Sequence, residues 1–378
     1  MNITGLVCEY NPFHNGHRYH LQQLRQEGAD CLIGCMSGHF TQRGEPSVLS
    51  RADRARAALE NGLDLVIELP AVFACAGAER FAYGGMAHLD ALGICDTVSF
   101  GSESGSVAAL QRASQAVLSP RIREPLRKLL SSGMTFAAAR EQAVREVFGE
   151  ETAALLREPN NILGIEYAKA LRRLNSSLQL HTVRRVGAPH DSTDIRSGYA
   201  SASGLREMLT AGGDISPYVP ESTLPFYGNA PDRQRQLEKL SLLTFYRLKT
   251  MTLSELAALP EMSEGLENRL YKAIQQGTTT AGILSLAKCK RYPLSRLRRS
   301  LLHAFLHLTS ADFQIGPQYL RVLAFNEKGQ AALRRMKTAA ALPVVQRHAD
   351  RSSLSDAGKH LLEIEDRCDT LYQLLSSP

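Results

Sequence analysis

The stretch LVCEYNPFHNGHRYHLQQL, residues 6–24, joins an apolar run to a polar turn and then to an amphipathic segment. Residues 5–8 are typical of a buried strand, and the residues from Gly16 onward have the periodicity of a helix. His14 and His17 flank Gly16 at the point where the strand gives way to the helix. A strand followed directly by a helix is the first half of a βαβ unit, so this stretch predicts an α/β fold.

The rest of the N-terminal half repeats this alternation. Short apolar or β-branched runs at 3–10, 30–36, 63–70, 95–101 and 178–187 predict strands, and the segments 16–27, 51–62 and 78–92 predict helices. Residues 103–176 have helical periodicity and few strand signals, which indicates a helical insertion. We therefore predict a doubly wound, Rossmann-like parallel sheet with right-handed crossovers.

The length of 378 residues predicts more than one domain. The stretch 212–232 is rich in Gly, Pro and Ser and indicates a boundary. We predict a catalytic domain over residues 1–215 and a mainly α-helical, basic domain over residues 216–378.

Composition narrows the class of protein. Hydrophobic residues make up 44% and charged residues 22% of the chain, as in globular proteins, and no apolar run is long enough to span a bilayer. The start of the chain lacks the pattern of a signal peptide, and the seven cysteines are scattered without a CxxC pair. We expect a cytoplasmic protein with no membrane partner, in which Cys31 and Cys35 are core residues. The net charge of +6 permits a polyanionic partner without requiring one.

The two histidines suggest an anion site. Ligands of open α/β sheets bind beyond the carboxyl ends of the strands, where the unpaired N–H groups of a following helix favour phosphate. Gly16 lets the backbone approach a ligand closely. Both imidazoles can then donate to charge that develops during phosphoryl chemistry.

Other interpretations of these residues exist. An HxGH pattern can arise by chance, and Asn11 and Pro12 can form a simple turn. The spacing of His14, His17 and His20 is also compatible with a metal, but no carboxylate or cysteine cluster supports zinc, so we predict no metal site.

The stretch EYNPFHNGHRYHL resembles the signature of the HxGH nucleotidyltransferase superfamily and, more narrowly, the bacterial tRNA(Met) cytidine acetate ligases. The similarity continues in order through MSGHFTQRGEPSVLSRADRARAALENGLDLVIELP, FGSES, PNNILGIEYAKAL, RRVGAPHDS, SASGLREML, KRYPLSRLRRSLL and YLRVLAFNEKGQAAL. It covers nearly the whole chain. Two departures are His39, where the family has Asn in SGNF, and Ser50-Arg51-Ala52, which replaces an acid-lysine-tryptophan stretch. The first is expected to alter pocket polarity, and the second keeps a cation but removes a large aromatic.

The resemblance implies a ligase that works in two steps. Acetate and ATP give acetyl-adenylate and pyrophosphate, and the acetyl group then passes to N4 of the wobble cytidine of elongator tRNA(Met). Both nucleophiles are substrates, which agrees with the lack of a credible Ser-His-Asp or Cys-His arrangement in the sequence. Mg²⁺ is expected with ATP, although the sequence identifies no protein ligands for it.

The resemblance also assigns residues to the ATP site. His14 and His17 are implied as the catalytic pair on the phosphates. Asn161 starts a predicted helix, where it or Asn160 is alternatively a cap; Gly101 is alternatively a turn glycine, and Arg185 a solvated surface residue. The ATP-binding residues are expected to be Val7, Cys8, Glu9, Tyr10, Asn11, Pro12, Phe13, His14, Asn15, Gly16, His17, Arg18, Tyr19, His20, Gly101, Asn161, Arg185 and Val186.

Two further segments are assigned to the substrates. Gln42 and Arg43 follow the second strand and could orient acetate or the base, since a guanidinium holds a carboxylate well; the alternative is a structural loop. Ser201, Ser203 and Arg206 match a superfamily pattern that binds the triphosphate tail, and the alternative is a plain N-cap.

The RNA surface is predicted from the basic segment 288–305. It contains six cations and no acid, with Tyr292 placed among them to stack on an unpaired base. A basic helix is otherwise simply a solvated face. Arg172, Arg173, Arg184 and Arg185 form a second basic zone. The predicted tRNA-binding residues are Lys288, Lys290, Arg291, Arg296, Arg298 and Arg299.

Two alternative functions stay open at this point. A small-molecule nucleotidyltransferase would share the HxGH pattern but would not need the basic domain. A non-catalytic RNA-binding protein would not need intact histidines. The oligomeric state cannot be predicted from the sequence.

Overall fold

The computed structural model of the protein describes residues 1–185, 199–228 and 230–377. Within these residues the strands are β1 Ile3–Cys8, β2 Cys31–Ser37, β3 Leu65–Leu69, β4 Thr97–Ser102, β5 Gln179–Arg184, β6 Leu320–Phe325 and β7 Val344–Val345.

The helices alternate with the strands in the first half of the chain and dominate the second half. They are α1 Asn15–Gln26, α2 Arg51–Glu60, α3 Ala71–Ala74, α4 Ala78–Ala91, α5 Val107–Leu118, α6 Arg123–Ser131, α7 Phe136–Phe148, α8 Glu150–Ala154, α9 Pro159–Leu174, α10 Ala202–Thr210, α11 Leu224–Tyr227, α12 Arg233–Thr250, α13 Leu253–Ala257, α14 Leu266–Gln276, α15 Thr280–Ala287, α16 Leu294–Phe305, α17 Glu327–Ala339 and α18 Asp356–Ser376.

One sheet joins all seven of these strands, in the order β5-β4-β1-β2-β3-β6-β7. Strands β1 to β5 are parallel, and β6 is antiparallel to β3. The strand order reverses between β1 and β4, so a crevice opens at their carboxyl ends, where ligands of such sheets bind.

Helices cover both faces of the sheet. On one face α1 and α2 pack through Leu21, Leu24 and Ala55. On the other, α4 and α9 pack through residues such as Met86 and Ile165. Each leucine buried in this way contributes roughly 1.5–3 kcal/mol. The predicted α/β class, the five parallel strands and the helical insertion, α5 to α9, are confirmed.

The second half of the chain is mainly helical, and α12 to α16 enclose an apolar core of their own around Leu248, Leu270 and Leu297. The chain then returns to the first sheet through β6 and β7, which the sequence analysis did not identify. A run of six residues such as LRVLAF is too short for periodicity to separate strand from helix. The division at residue 215 stays a prediction, and β6 extends the N-terminal sheet across it.

Candidate active site

A cavity of about 490 Å³ lies at the crevice between β1 and β4. We call it the switch-point cavity. Its walls come from the β1–α1 connection, the loop after β2, the starts of α4 and α9, the end of β5, the start of α10, and α16. Most of the predicted ATP residues line it: Val7, Cys8, Glu9, Tyr10, Asn11, His14, Gly16, His17, Tyr19, His20, Gly101 and Arg185.

His14 and His17 face each other at the start of α1. Their rings stack with centroids 3.6 Å apart and an angle of 21° between the planes. His14 is the N-cap: its Nδ1 accepts a hydrogen bond from the Gly16 N–H at 3.1 Å, and the Nδ1 of His17 accepts one from the His14 N–H at 3.2 Å. The two side chains thus form a reciprocal capping box made of histidines.

These hydrogen bonds determine where the ring protons are. A neutral imidazole carries one hydrogen on its two ring nitrogens. Because Nδ1 accepts a hydrogen bond in both residues, this hydrogen is on Nε2. Burial lowers the pKa of His17 well below its usual value, and positive charge on His14, Arg185 or His20 would lower it further. His17 is therefore a neutral donor, suited to bind an oxyanion without itself transferring a proton.

The turn before α1 holds the histidine pair in place. Tyr10 has a φ of 46°, and its ring contacts those of Phe13 and His17, each with centroids 4.8 Å apart. Asn11 is buried, and its Oδ1 accepts from the Val48 N–H at 2.8 Å. This backbone conformation ends β1 at Cys8 and turns the chain towards the cavity.

Gly101 at the end of β4 packs against the stem of Arg185. A Cβ at position 101 would lie 3.2 Å from the Cγ of Arg185, so glycine leaves room for this side chain. Arg185 lines the cavity, and burial lowers its pKa. Gly101 therefore affects the cavity indirectly, because its lack of a side chain leaves space for Arg185.

The two asparagines at the start of α9 have different positions. Asn161 is buried, and its Oδ1 accepts from the Ser104 N–H at 3.0 Å, which fixes the loop after β4. Asn160 lines the cavity and donates to Glu103 at 2.6 Å. Neither residue is the cap of α9, which is Glu158 and makes no side-chain capping bond. Asn160 is thus the asparagine that lines the cavity, and Asn161 lies behind it.

A hydrogen-bonded chain leads from the cavity towards solvent. The Nε2 of His20 lies 2.9 Å from the Ser99 Oγ, which is 3.1 Å from Nδ1 of His181. The Nε2 of His181 is 3.3 Å from Glu27, whose carboxylate is half exposed. Burial lowers the pKa of His20 to about 4, so this ring is neutral near pH 7. No sequence pattern connects Ser99 or His181 with His20, because both are distant from it along the chain.

The predicted substrate residues also line the cavity, beside the β1–α1 connection. Gln42 donates its backbone N–H to Glu9 at 2.8 Å, and burial raises the pKa of Glu9. Gln42, Arg43, Ser201 and Ser203 all line the cavity.

The start of α10 is tied to the turn before α1. The Ser201 side chain accepts from the Gly204 N–H at 3.0 Å, so the N-cap interpretation describes it correctly. Arg206 is held by the Asn11 carbonyl at 2.8 Å and by Glu45 at 2.7 Å.

The predicted RNA-binding cations divide into three groups: two line the cavity, one is paired with a glutamate outside it, and three are exposed outside it. Arg298 and Arg299 line the switch-point cavity, together with Ser295 of the same helix. Arg299 is bound to Glu261 at 3.0 Å, and Arg296 pairs with Glu264 at 3.2 Å. The exposed cations outside the cavity are Lys288, Lys290 and Arg291.

The proposed stacking role of Tyr292 is wrong. Its side chain is only 5% exposed, and its hydroxyl donates to the Glu264 carbonyl. The ring packs in the core of the helical region, so it cannot meet a base. The sequence predicts an exposed ring, because the residues around Tyr292 are basic. In the structure the bend before α16 directs the ring into the core instead.

The two departures from the family pattern lie away from the cavity. His39 stacks on Tyr372 with ring centroids 4.1 Å apart, and Arg51 binds Glu68 at 3.0 Å. Neither residue lines the switch-point cavity. The expectation that His39 alters pocket polarity is therefore wrong; the residue belongs to a buried polar cluster under α18.

Some predicted ATP residues do not line the cavity. Phe13 is buried beneath the histidine pair, and Arg18 is exposed on the outer face of α1. Pro12 and Asn15 lie in the connection between β1 and the start of α1, but neither residue lines the cavity. Val186 lies outside the described residues. Among the cavity-lining residues that were not identified from the sequence are aromatic and polar side chains brought in from other segments: Phe81, Ser99, Phe100, Tyr167, Tyr199 and Ser295.

The donor groups do not form a metal cage. In the residues that the structure describes, no group of three or more His, Cys, Asp or Glu side chains could hold a metal ion. Glu9 is the one carboxylate among the described residues that line the cavity. None of the helices in the described ranges is both long and apolar enough to cross a membrane.

Comparison with known proteins places this site in a family. The family model described as HIGH Nucleotidyl Transferase matches residues 1–378. A tRNA(Met) cytidine acetate ligase of Thermoanaerobacter sp. (strain X514) is 40% identical over 356 residues, covering 91% of this chain and 88% of the relative. The tRNA(Met) cytidine acetate ligase of Latilactobacillus sakei is 38% identical and covers 99% of this chain and 94% of its own.

Solved structures agree with this relationship. The crystal structure of apo Thermotoga maritima TmcAL superposes with a TM-score of 0.93 at 30% identity, covering 100% of this chain and 96% of that one. The same protein bound with alpha-thio ATP gives a TM-score of 0.89 at 29% identity, covering 100% and 95% of the two chains. The chain therefore belongs to the HIGH nucleotidyltransferase family and, within it, to the tRNA(Met) cytidine acetate ligases.

Proposed function

We propose that this protein activates acetate with ATP and transfers the acetyl group to N4 of the wobble cytidine of elongator tRNA(Met), giving N4-acetylcytidine, AMP and pyrophosphate. Relatives of this chain are named tRNA(Met) cytidine acetate ligases, which supports acetate and tRNA(Met) as substrates. The ATP analogue bound to the Thermotoga protein supports the use of ATP. The observation that carries the proposal is the stacked pair of His14 and His17, which faces the cavity where α1 begins.

The first step is adenylation of acetate. A carboxylate oxygen of acetate attacks the α-phosphorus of ATP, and the bond from that phosphorus to the oxygen of the β-phosphate breaks, releasing pyrophosphate. Negative charge builds on the phosphoryl oxygens. The Nε2–H groups of His14 and His17 and the positive end of α1 stabilise that charge; one preorganised donor of this kind contributes about 2.7–4 kcal/mol.

The second step is acyl transfer. The N4 amine attacks the acetyl carbonyl carbon, the bond from that carbon to the adenylate oxygen breaks, and AMP leaves while the nitrogen loses one proton. No protein nucleophile is required, because the protein supplies position and charge stabilisation. A wobble base lies in a loop, where displacing it costs less than in a duplex.

Each group of cavity residues has a proposed role. Arg185, beside Gly101, neutralises phosphate, and Asn161 supports the adenosine side of the site through the loop after β4. Gln42 and Arg43 orient acetate or the base, and Ser201 and Ser203 approach the triphosphate tail. The remaining nucleotide contacts come from the β1–α1 connection, residues 7–20.

Mg²⁺ is proposed to enter with ATP, carried mainly by the phosphates. Proteins commonly bind Mg²⁺ at substrate phosphates through one or two carboxylates, with several waters completing the coordination. Glu9 is the carboxylate that lines the cavity in the part of the chain that the structure describes. The ion would screen phosphate charge when bound. Glu9 itself is held in place by the Gln42 N–H.

The RNA surface is proposed to begin at Lys288, Lys290 and Arg291 and to continue to Arg298 at the cavity. Arg296 and Arg299, which are paired with glutamates, position this surface. We retain the division into residues 1–215 and 216–378 as a functional one. A cytoplasmic location follows from the proposed substrates.

The experiment is incubation of the protein with ATP, labelled acetate and total bacterial tRNA, followed by nucleoside analysis. The expected product is labelled N4-acetylcytidine in tRNA(Met). Acetate-dependent pyrophosphate release with no label in RNA would instead favour a small-molecule nucleotidyltransferase. RNA binding without any pyrophosphate release would indicate a non-catalytic protein.

A further inference from the structure

A second cavity, of about 680 Å³, lies beside the switch-point cavity among α10, α12, α15 and α16. The two cavities share four lining residues, which form the partition between them: Arg43, Ser203, Arg206 and Arg298. The proposed adenylation of acetate takes place in the switch-point cavity and leaves the second cavity without a role.

The size of the second cavity indicates the class of ligand. Acetate has four non-hydrogen atoms and needs on the order of 100 Å³, judged from the share of about 30 Å³ that one water takes in the liquid. The cavity is several times larger and lies within the range of pockets that hold larger organic ligands. It has room for a nucleoside, whereas acetate would leave most of it empty.

The lining is suited to a planar base with a polar edge. Leu237, Leu284 and Leu301 supply apolar surface, and Ser241 and Thr244 supply hydroxyl groups. Ser241 lies close enough to Thr280 for a hydrogen bond between their hydroxyls. A pyrimidine offers apolar faces to such leucines and hydrogen-bonding atoms to such hydroxyls.

The charge of the lining favours a polyanion. Four arginines and two glutamates line the second cavity. Glu45 forms ion pairs with two of the arginines, Arg206 at 2.7 Å and Arg233 at 2.8 Å. Across residues 1–185, 199–228 and 230–377, the structure gives Arg298 no acidic partner, and its side chain is exposed. Arg298 thus brings a positive charge to the partition, where a nucleotide phosphate would pass.

We propose that the second cavity receives the target cytidine of the RNA, displaced from its loop, with N4 directed through the partition towards the acetyl-adenylate. This inference rests on the proposed function and names the place where the second substrate enters. The partition is held by a close contact, because a Cβ at Gly44 would lie 2.8 Å from the backbone carbonyl carbon of Arg298. The loop that carries Arg43 therefore packs directly on α16.

The test is Ser241→Trp, which places an indole in the second cavity and changes no residue that lines the switch-point cavity. Acetate-dependent exchange of pyrophosphate into ATP is expected to remain unchanged, which also reports that the variant is folded. Acetyl transfer to tRNA(Met) is expected to fall about 100-fold, the loss typical of a misplaced reactant. Leu242→Trp is the matched control, since Leu242 follows on the same helix, is 68% exposed and lines neither of these two cavities; both activities should persist.

Each outcome separates the proposals. Unchanged transfer in Ser241→Trp overturns the inference, and so does loss of exchange together with transfer, since the second cavity would then serve the adenylation step. Leu237→Trp, which fills the same cavity from one turn earlier in α12, must give the same result as Ser241→Trp. If the unaltered protein catalyses no exchange, the proposed function itself fails and the inference with it.

Discussion

The imidazoles of His14 and His17 stack at a centroid distance of 3.6 Å; the Nδ1 of His14 accepts the Gly16 N–H in the first turn of α1, and the Nδ1 of His17 accepts the N–H of the N-cap His14. The pair therefore caps the helix and presents two Nε2–H groups beyond the carboxyl end of β1. The same hydrogen bonds that start the helix fix the tautomers that an oxyanion needs.

Replacing one member of the pair should abolish most of the adenylation. His17→Ala is expected to lower the rate of acetate-dependent pyrophosphate exchange about 100- to 1,000-fold, because one preorganised donor is removed. RNA binding should persist. The control is His348→Ala, which removes an exposed histidine far along the chain. Equal loss of exchange and of RNA binding in His17→Ala would indicate a structural role instead.

The exposed cations before α16 should affect RNA binding alone. In Lys290→Glu with Arg291→Glu, tRNA affinity is expected to fall, and the slope of its salt dependence should decrease by about one for each phosphate that the protein no longer neutralises. Pyrophosphate exchange should be unchanged, since neither residue lines the switch-point cavity. Arg334→Glu with Arg335→Glu, on α17, is the control with the same charge change. Unchanged affinity in the first variant would remove this segment from the RNA surface.

Gly44 should be sensitive to any side chain. Gly44→Ala combines a φ of +81° with a Cβ placed 2.8 Å from the Arg298 carbonyl carbon. We expect the free energy of unfolding to fall by on the order of 1–3 kcal/mol and acetyl transfer to fall with it, because the partition is disturbed. Gly28→Ala is the control: its φ is +92°, but nothing lies within 4 Å of the added Cβ. Equal effects of the two substitutions would show that backbone strain alone is responsible.

His39 should make the fold sensitive to acid. Burial, and then the charges of Arg51, Arg54 and Arg321, lower the pKa of His39 to about 2. The unfolded chain takes up a proton near the usual value of 6.5, while the folded chain does not until about pH 2. The free energy of unfolding therefore decreases as the pH falls below 6.5, by about 1.4 kcal/mol for each pH unit.

Replacing the imidazole by an amide should remove that dependence. His39→Asn is expected to flatten the decrease in unfolding free energy between about pH 7 and about pH 5, measured by urea denaturation. His348→Asn, an exposed histidine, is the control. Parallel curves for His39→Asn and the unaltered protein would contradict the assignment of a buried, neutral His39.

Glu365 should act in the opposite direction. Burial, and then repulsion by Glu68, raise the pKa of Glu365 to about 8, against the attraction of the Ala71 N–H and two arginines. Between its usual value of 4.5 and about 8, the folded chain keeps a proton that the unfolded chain has lost. The free energy of unfolding therefore decreases as the pH rises through this window.

Glu365→Gln should abolish this decrease. The amide oxygen can still accept the Ala71 N–H, which donates to Glu365 at 2.6 Å, and no charge is buried. The difference between variant and unaltered protein should grow from about pH 5 to about pH 8 in favour of the variant, by about 1.4 kcal/mol for each pH unit. Glu363→Gln, exposed on the same helix, is the control. A constant difference across this range would contradict the assignment.

The sequence by itself determined the first five strands, the helices between them and the position of His14 and His17 at the start of α1. These features depend on local periodicity and on the chemistry of a short turn, both of which are visible in neighbouring residues. It also determined the family, because several ordered motifs span the chain.

Tertiary structure alone decided which distant side chains meet. It turned Tyr292 into the core, placed Arg298 and Arg299 on the cavity wall, connected His20 to His181 through Ser99, and returned β6 to the first sheet. Such contacts follow from how helices and strands pack across long separations in the chain. Tertiary packing also buries His39 and Glu365 among charged groups from distant segments. Their burial and these neighbouring charges, which no local pattern encodes, shift their pKa values.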